Sequence, residues 1–258
     1  MRNLPNKTIQ RLFSLLAFCL CGIGILSYVY THYASPVITS SKVGDRHLPI
    51  YCVDCGAEKK IALTFDAAWG NEDTGQILEI LEKHEVKVTF FMTGGWVESF
   101  PEDVKMIYDA GHDLGNHSEN HKNMSQLSNA QNKEELMKVH EKVKTLTDYD
   151  MFLFRPPYGD YDNDVITTAA ECGYYTIQWD VDSLDWKDYD AATICQRVTG
   201  KMERGSIALF HNAALHTPEA LPDILECLIQ KGLTVVPISE LIYWENYTID
   251  HTGRQCPA

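Results

Sequence analysis

The sequence predicts an α/β fold in which seven parallel strands curl into a closed or nearly closed barrel, with the helices outside. Three observations carry this expectation. Short apolar runs alternate with amphipathic stretches seven times in succession. Five of the seven apolar runs lead into an ionisable residue, as strands do when their C-terminal ends share one rim. No glycine-rich phosphate turn follows the first run, which counts against the alternative of an open doubly wound sheet.

The first segment is of a different kind. Arg2, Lys7 and Arg11 precede an uncharged run from Leu12 to Thr31, about the length needed to cross a bilayer. Basic residues ahead of such a run predict residues 1–11 in the cytoplasm, a transmembrane helix over 12–31, and everything after it outside the cell membrane. A cleaved signal peptide is the competing reading, disfavoured by the length of the run and by the lack of small residues at both cleavage-determining positions. Residues 32–57 read as a linker and edge segment.

The repeating units then follow in order. Ile61-Phe65 is a strand, and Thr74-His84 a helix with Ile77, Leu78, Ile80 and Leu81 on one face. Val86-Met92 is the second strand and Pro101-Ala110 the second helix, with proline in its first turn. Asp113-Asn116 precedes a helix over Asn132-Leu146. Phe152-Phe154 pairs with a helix over Asp162-Cys172, and Tyr175-Val181 with Tyr189-Met202. Ser206-Phe210 leads to Pro218-Lys231, which Gly232 stops. Leu233-Ile238 and Ser239-Trp244 complete the seventh unit, so one domain spans 58–246 and a short tail occupies 247–258.

Composition excludes some partners. A formal net charge of −14 over 258 residues argues against nucleic acid or an anionic lipid surface. Of eight cysteines, Cys19 and Cys21 lie in the apolar run, and the remaining even count permits disulfides in an exported domain. Cys172, Cys195 and Cys227, however, sit in helical apolar patterns where a free thiol is the commoner outcome.

The rim residues allow metal-assisted hydrolysis. His117 and His121, four apart in His117-Ser118-Glu119-Asn120-His121, can aim two imidazoles at one divalent cation from a helical turn or a tight loop. Asp66 offers a ligand, a general base, or merely a cap for the next turn. Arg155 sits in a rigid turn beside two prolines and can fix a carboxylate by paired hydrogen bonds, a surface ion pair being its bland alternative. Asp185 can keep His211 protonated as a general acid. Trp186 and Leu209 can wall a small acyl group, although as lone residues both suit a core.

Five segments in order, Thr64-Phe65-Asp66, His117-Ser118-Glu119-Asn120-His121, Arg155-Pro156-Pro157-Tyr158, Asp182-Ser183-Leu184-Asp185-Trp186 and Leu209-Phe210-His211, resemble the motifs of polysaccharide deacetylases with a NodB-homology domain, carbohydrate esterase family 4. The resemblance covers residues 58–243 and implies a distorted, incomplete (β/α)7 barrel. It also implies hydrolysis of N-acetyl groups on a cell-wall polysaccharide, peptidoglycan foremost, with a divalent metal cation as cofactor, zinc first among candidates. Carried over position by position, Asp66 is the base that activates water, His117 and His121 are metal ligands, and Arg155 braces Asp66. Asp185 tunes the acid His211, and the backbone N–H of Tyr158 helps stabilise the oxyanion.

One position departs from the pattern. Where the family carries a second aspartate, a metal ligand, this chain has Ala67, in Asp66-Ala67-Ala68-Trp69-Gly70. Asp66 itself, water, Asn71 and Glu72 are the candidates to replace it. The variant resembles the sporulation-associated bacterial branch. Two other functions follow from the same residues: an esterase removing O-acetyl groups, and a catalytically idle glycan-binding protein favoured by Ala67.

Overall fold

Side-chain alternation along Ile61-Ala62-Leu63-Thr64-Phe65-Asp66-Ala67 sorts the central strand into two faces. The computed structural model describes residues 42–258 and begins with three short strands, β1 (Lys42–Val43), β2 (Arg46–His47) and β3 (Cys52–Val53). The transmembrane expectation for residues 12–31 lies outside the described residues.

The central strand is β4 (Lys60–Ala67), followed by helix α1 (Thr74–Lys83). Strand β5 (Thr89–Met92) leads to α2 (Gly94–Ser99) and α3 (Pro101–Asp109), and β6 (Asp113–Asn116) leads to α4 (Asn129–Thr147). A capping box explains where α4 begins: Ser128 Oγ accepts from Gln131 N, and the Gln131 side chain accepts from Ser128 N. Strand β7 (Leu153–Phe154) precedes α5 (Asn163–Glu171), capped by Asp162. Strands β8 (Tyr175–Thr176) and β9 (Val181–Asp182) precede α6 (Ala191–Thr199), capped by Asp190. Strand β10 (Ile207–His211) leads to α7 (Thr217–Gln230), then β11 (Thr234–Val235) and α8 (Ile238–Leu241).

The main sheet is parallel, with order β8-β7-β6-β5-β4-β10-β9, and β11 pairs with the start of β4. It is a curled, part-closed barrel, as the sequence predicts. The expected fifth strand over Tyr175-Val181 needs correction. It breaks into β8 and β9, which lie at opposite ends of the sheet, and residues 177–180 cross the opening between them. The reason lies in tertiary bonds: Gln178 N donates to the Ile50 carbonyl at 2.7 Å and the Gln178 carbonyl accepts from Arg155 Nη2 at 3.1 Å, so the backbone here follows partners other than a neighbouring strand of the main sheet. Strands β12 (Tyr247–Ile249) and β13 (Arg254–Pro257) form a separate sheet with β3.

The outer face of the sheet packs on the helices. Ile61, Leu63, Phe65 and Ala67 join Ile77, Leu81, Val104, Val139 and Leu221 in one apolar cluster. Phe65 lies between Phe90 and Phe210, with ring centroids 5.2 and 5.3 Å away, and burying such a ring contributes about 1.5–3 kcal/mol. The inner face is apolar at the bottom, where Ala62, Phe91, Leu153 and Ile207 meet Ile50 and Ile177. Towards the C-terminal ends of the strands it becomes polar. The same alternation that sends Phe65 and Phe210 outward brings Asp66 and His211 inward, and the two are register partners on neighbouring strands.

The candidate active site

Asp66 is the centre of the inner face. Arg155, fully buried, donates from Nη1 to Asp66 Oδ1 at 2.8 Å and to Thr64 Oγ1 at 2.8 Å. Its guanidinium also stands 4.2 Å from the Phe91 ring centroid. Burial disfavours an ionised Asp66, but Arg155, with His117 and His211 beyond it, outweighs that effect and holds the carboxyl below its ordinary value. Asp66 therefore carries its negative charge at neutral pH.

The two histidines come from a tight loop after β6, not from a helical turn. Ser118 (φ 64°) and His121 (φ 52°) are both left-handed. Asn116 Oδ1 accepts from Ser118 N at 3.0 Å, and Ser118 Oγ accepts from His121 N at 3.0 Å, so side chains on the loop itself stabilise this backbone. Glu135 of α4 adds a brace that sequence reasoning misses: its carboxylate accepts from both the backbone and the amide of Asn120 and from Lys122 Nζ, each at 2.8 Å. No signal marks it in the sequence, since Glu135 is one of several charged residues along Asn132-Leu146.

His117 Nδ1 lies 2.8 Å from the Arg155 carbonyl oxygen, which can only accept, so Nδ1 carries the hydrogen and Nε2 presents its lone pair. That lone pair faces Asp66 Oδ2 at 3.5 Å. Nδ1 of His121 is buried without a hydrogen-bond partner. Burial, reinforced by His117, pushes His121 down to about 4, and burial also lowers His117. Two neutral imidazoles beside a carboxylate oxygen form a donor set that suits a divalent cation. The two histidines alone are one protein ligand short of the usual catalytic zinc site, and among the described residues no group of three or more His, Cys, Asp and Glu side chains is arranged to hold a metal ion.

The shortage traces to Ala67. Its side chain points outward into the apolar cluster and is 1% exposed. Of the candidate replacements, Asn71 donates its amide to Asp103 at 2.7 Å and Glu72 is exposed; neither lines the cleft. Asp66 is the one carboxylate brought beside the histidines.

Beside Asp66, on the neighbouring strand, stands His211. Its Nδ1 is 2.7 Å from Asp185 Oδ1, while Asp185 Oδ2 accepts from His211 N at 2.8 Å and from Thr217 Oγ1 at 2.7 Å. Burial works against the imidazolium, but the hydrogen bond and charge of Asp185 outweigh it, with Asp66 and Asp182 adding to them. The pKa of His211 is raised above the ordinary histidine value. Asp66, His117, His121 and His211 thus open onto one cleft of about 540 Å³, with Tyr158, Trp186 and Leu209 also on its walls. Arg155 and Asp185 lie behind it. All nine residues singled out from the sequence meet here.

The profile of the polysaccharide deacetylase family matches residues 54–177. A peptidoglycan-N-acetylglucosamine deacetylase of Bacillus cereus is 34% identical over 186 residues, covering 70% of this chain and 68% of that protein. The chain belongs to the polysaccharide deacetylase family. An uncharacterized protein of Bacillus subtilis (strain 168) is 35% identical over 182 residues, 70% of this chain but 57% of the relative's length. Among solved structures, a wild-type carbohydrate esterase family 4 pseudoenzyme from Bacillus anthracis superposes with a TM-score of 0.73 at 36% identity, covering 81% of this chain and 73% of that one. A mutant of the pseudoenzyme with restored enzymatic activity superposes with a TM-score of 0.72 at 40% identity, covering 75% and 70%. The fold is therefore shared with a pseudoenzyme and with its mutant of restored enzymatic activity.

Proposed function

We propose that the chain hydrolyses N-acetyl groups of aminosugar residues in a cell-wall glycan, peptidoglycan being the leading candidate. One observation carries this reading: a carboxylate held ionised and an imidazole whose hold on its proton is strengthened stand side by side on register partners of neighbouring strands and open onto one cleft. A general base and a general acid whose surroundings push their protonation states apart are what hydrolysis of an amide requires, and a binding protein needs neither.

Asp66, oriented by Arg155, takes a proton from the attacking water as the water oxygen bonds to the acetyl carbon. The backbone N–H of Tyr158 donates to the oxyanion, while Trp186 and Leu209 exclude water around the methyl group. His211 then delivers its proton to the amide nitrogen as the C–N bond breaks, leaving acetate and a free amine. His117 and His121 would hold a divalent cation, zinc first among candidates, which when bound supplies Lewis-acid polarisation of the acetyl carbonyl.

The reading is tested by acetate release from N-acetylated peptidoglycan, with metal content measured on the same preparation. Acetate release is expected and should stop on chelation. His117→Ala and His121→Ala should each lower metal affinity by more than the roughly 10–100-fold that follows loss of an outer-shell partner, and acetate release should fall with it. Full activity after both substitutions and chelation refutes the role of the metal. A second reading, an idle glycan-binding protein, is favoured by Ala67; absence of acetate release from the metal-loaded chain would select it. Release from O-acetylated but not N-acetylated glycan would select an esterase.

We also propose that residues 12–31 anchor the chain in the cell membrane with the catalytic domain outside, on the evidence of the uncharged run and the basic residues ahead of it. In intact cells the domain should be digested by external protease while the protein stays in the membrane fraction. A soluble form starting between residues 32 and 52 would show that the segment is cleaved.

A further inference from the structure

The loop after Asp66 is fastened from two sides. Asn212 donates its backbone N–H to the Asp66 carbonyl at 3.1 Å, accepts from Ala68 N at 3.3 Å, and donates its amide to the Gly70 carbonyl. The neighbouring Ala213 N–H donates to Asp73 Oδ1 at 2.9 Å. From the other side Trp96 Nε1 donates to the same Gly70 carbonyl at 2.9 Å. Between the pinned residues 68 and 70 stands Trp69. Its side chain is among the most exposed of the large apolar ones, at 65%, and it lines the cleft with its ring 5.6 Å from His121.

A rigid loop that holds an indole out in solvent is not explained by packing. Burying a tryptophan is among the most favourable contributions a side chain makes, and exposed apolar surface beside a cleft marks a binding face. A second ring stands on the other side of the same imidazole. Tyr158, 67% exposed, lies 4.5 Å from His121 in a left-handed conformation (φ 60°). The cleft walls carry Asp66, Asp182 and three histidines but no lysine or arginine, so recognition of a sugar there falls to the rings rather than to a fixed cationic side chain. The C–H face of a pyranose, with its positive edge, complements the negative face of an indole and needs no charge.

We propose that Trp69 is a specificity-determining residue of this cleft, stacking on a pyranose ring of an N-acetylated aminosugar chain and so favouring polymer over single sugars. The proposal rests on the glycan reading above. It places a sugar-contacting ring in the loop segment where the metal-ligating carboxylate is missing.

The test is titration of the full chain, in chelator so that no turnover intervenes, with N-acetylglucosamine and its β-1,4-linked oligomers up to the hexamer. Tryptophan fluorescence and calorimetry are read in parallel. Affinity should rise with chain length, and Trp69→Ala should weaken tetramer and hexamer binding about tenfold, roughly 1.4 kcal/mol, with little change for the monomer. Trp69→Phe, which keeps a ring, should retain most of the affinity and shows that the site is still folded. Equal oligomer affinities for wild type and Trp69→Ala, or no binding of any oligomer by wild type, overturn the proposal. Trp69-dependent binding without acetate release would refute the deacetylase reading and leave the platform standing. Acetate release that Trp69→Ala leaves unchanged on the hexamer would refute the platform alone.

Discussion

Arg155→Met is expected to destabilise the fold by about 3–5 kcal/mol, the range for removing one partner of a buried ion pair. The arginine is fully buried and Asp66 nearly so, with 2.8 Å between Nη1 and Oδ1. Methionine fills much of the volume but leaves an uncompensated carboxylate, and it also withdraws donors from Thr64 Oγ1 and the Gln178 carbonyl. The pH dependence follows from the sign of the shift. With Arg155 present the folded-state pKa of Asp66 is depressed, so its contribution to stability is present above the unfolded value and lost as pH falls through the folded value. Without Arg155, burial dominates and raises that pKa, so the penalty is greatest at neutral pH and shrinks as acid protonates the carboxyl. Urea unfolding at pH 7 and near pH 5 measures the variant's dependence, and a series in the native chain carried below the ordinary carboxylate value of 3.8 measures its own loss. The double variant Asp66→Asn/Arg155→Met should be more stable than Arg155→Met alone, because the unpaired charge is gone. If the two variants unfold at the same urea concentration, the pair is not coupled as described.

What the sequence reveals and what it hides divide along physical lines. Asp66, His117, Arg155 and His211 are legible because each follows a short apolar run, and parallel strands that share a rim place such residues together. Strand β6 is found with its observed ends because Gly111 turns the chain just before it and the polar motif begins just after. Helix α2 is missed: six residues are too few to establish a periodicity, and Thr93, whose side chain accepts from Trp96 N, is an inconspicuous cap. The break between β8 and β9 is invisible because its cause, the bonding of Gln178 to Ile50 and Arg155, joins residues whose proximity only the fold creates. The same holds for Asn212 and Ala213, which fasten the loop from Ala68 to Asp73 some 140 positions away in the chain. Ala67 is the instructive intermediate. The sequence shows that a ligand is missing, but only strand alternation within a known packing shows that its side chain has joined the outer apolar layer.

Asp185→Asn is expected to lower kcat/KM for deacetylation by about 10²–10⁴-fold, the range for losing one proton-transfer group, and to move the alkaline limb of the pH profile to lower pH. Asp185 is surrounded by donors. Oδ1 faces His211 Nδ1 at 2.7 Å and Trp186 N at 2.9 Å, and Oδ2 faces His211 N at 2.8 Å and Thr217 Oγ1 at 2.7 Å. A carboxylate satisfies both sides. An asparagine must turn its NH₂ towards one of them and lose those bonds. The charge is lost in either orientation, and with it the attraction that overcomes burial at His211. In the native chain the raised pKa keeps His211 protonated below that value, and the proton-donating form disappears as pH rises through it. In the variant, burial prevails and the imidazole releases its proton at lower pH, so the descending limb shifts in the acid direction. Thr217→Val gives a graded comparison, since it removes one donor to Asp185 and keeps the charge; its limb should move far less. The measurement is kcat/KM against pH for the three proteins on one soluble N-acetylated oligomer. A limb that stays in place in Asp185→Asn would mean that a group other than His211 delivers the proton to the leaving amine.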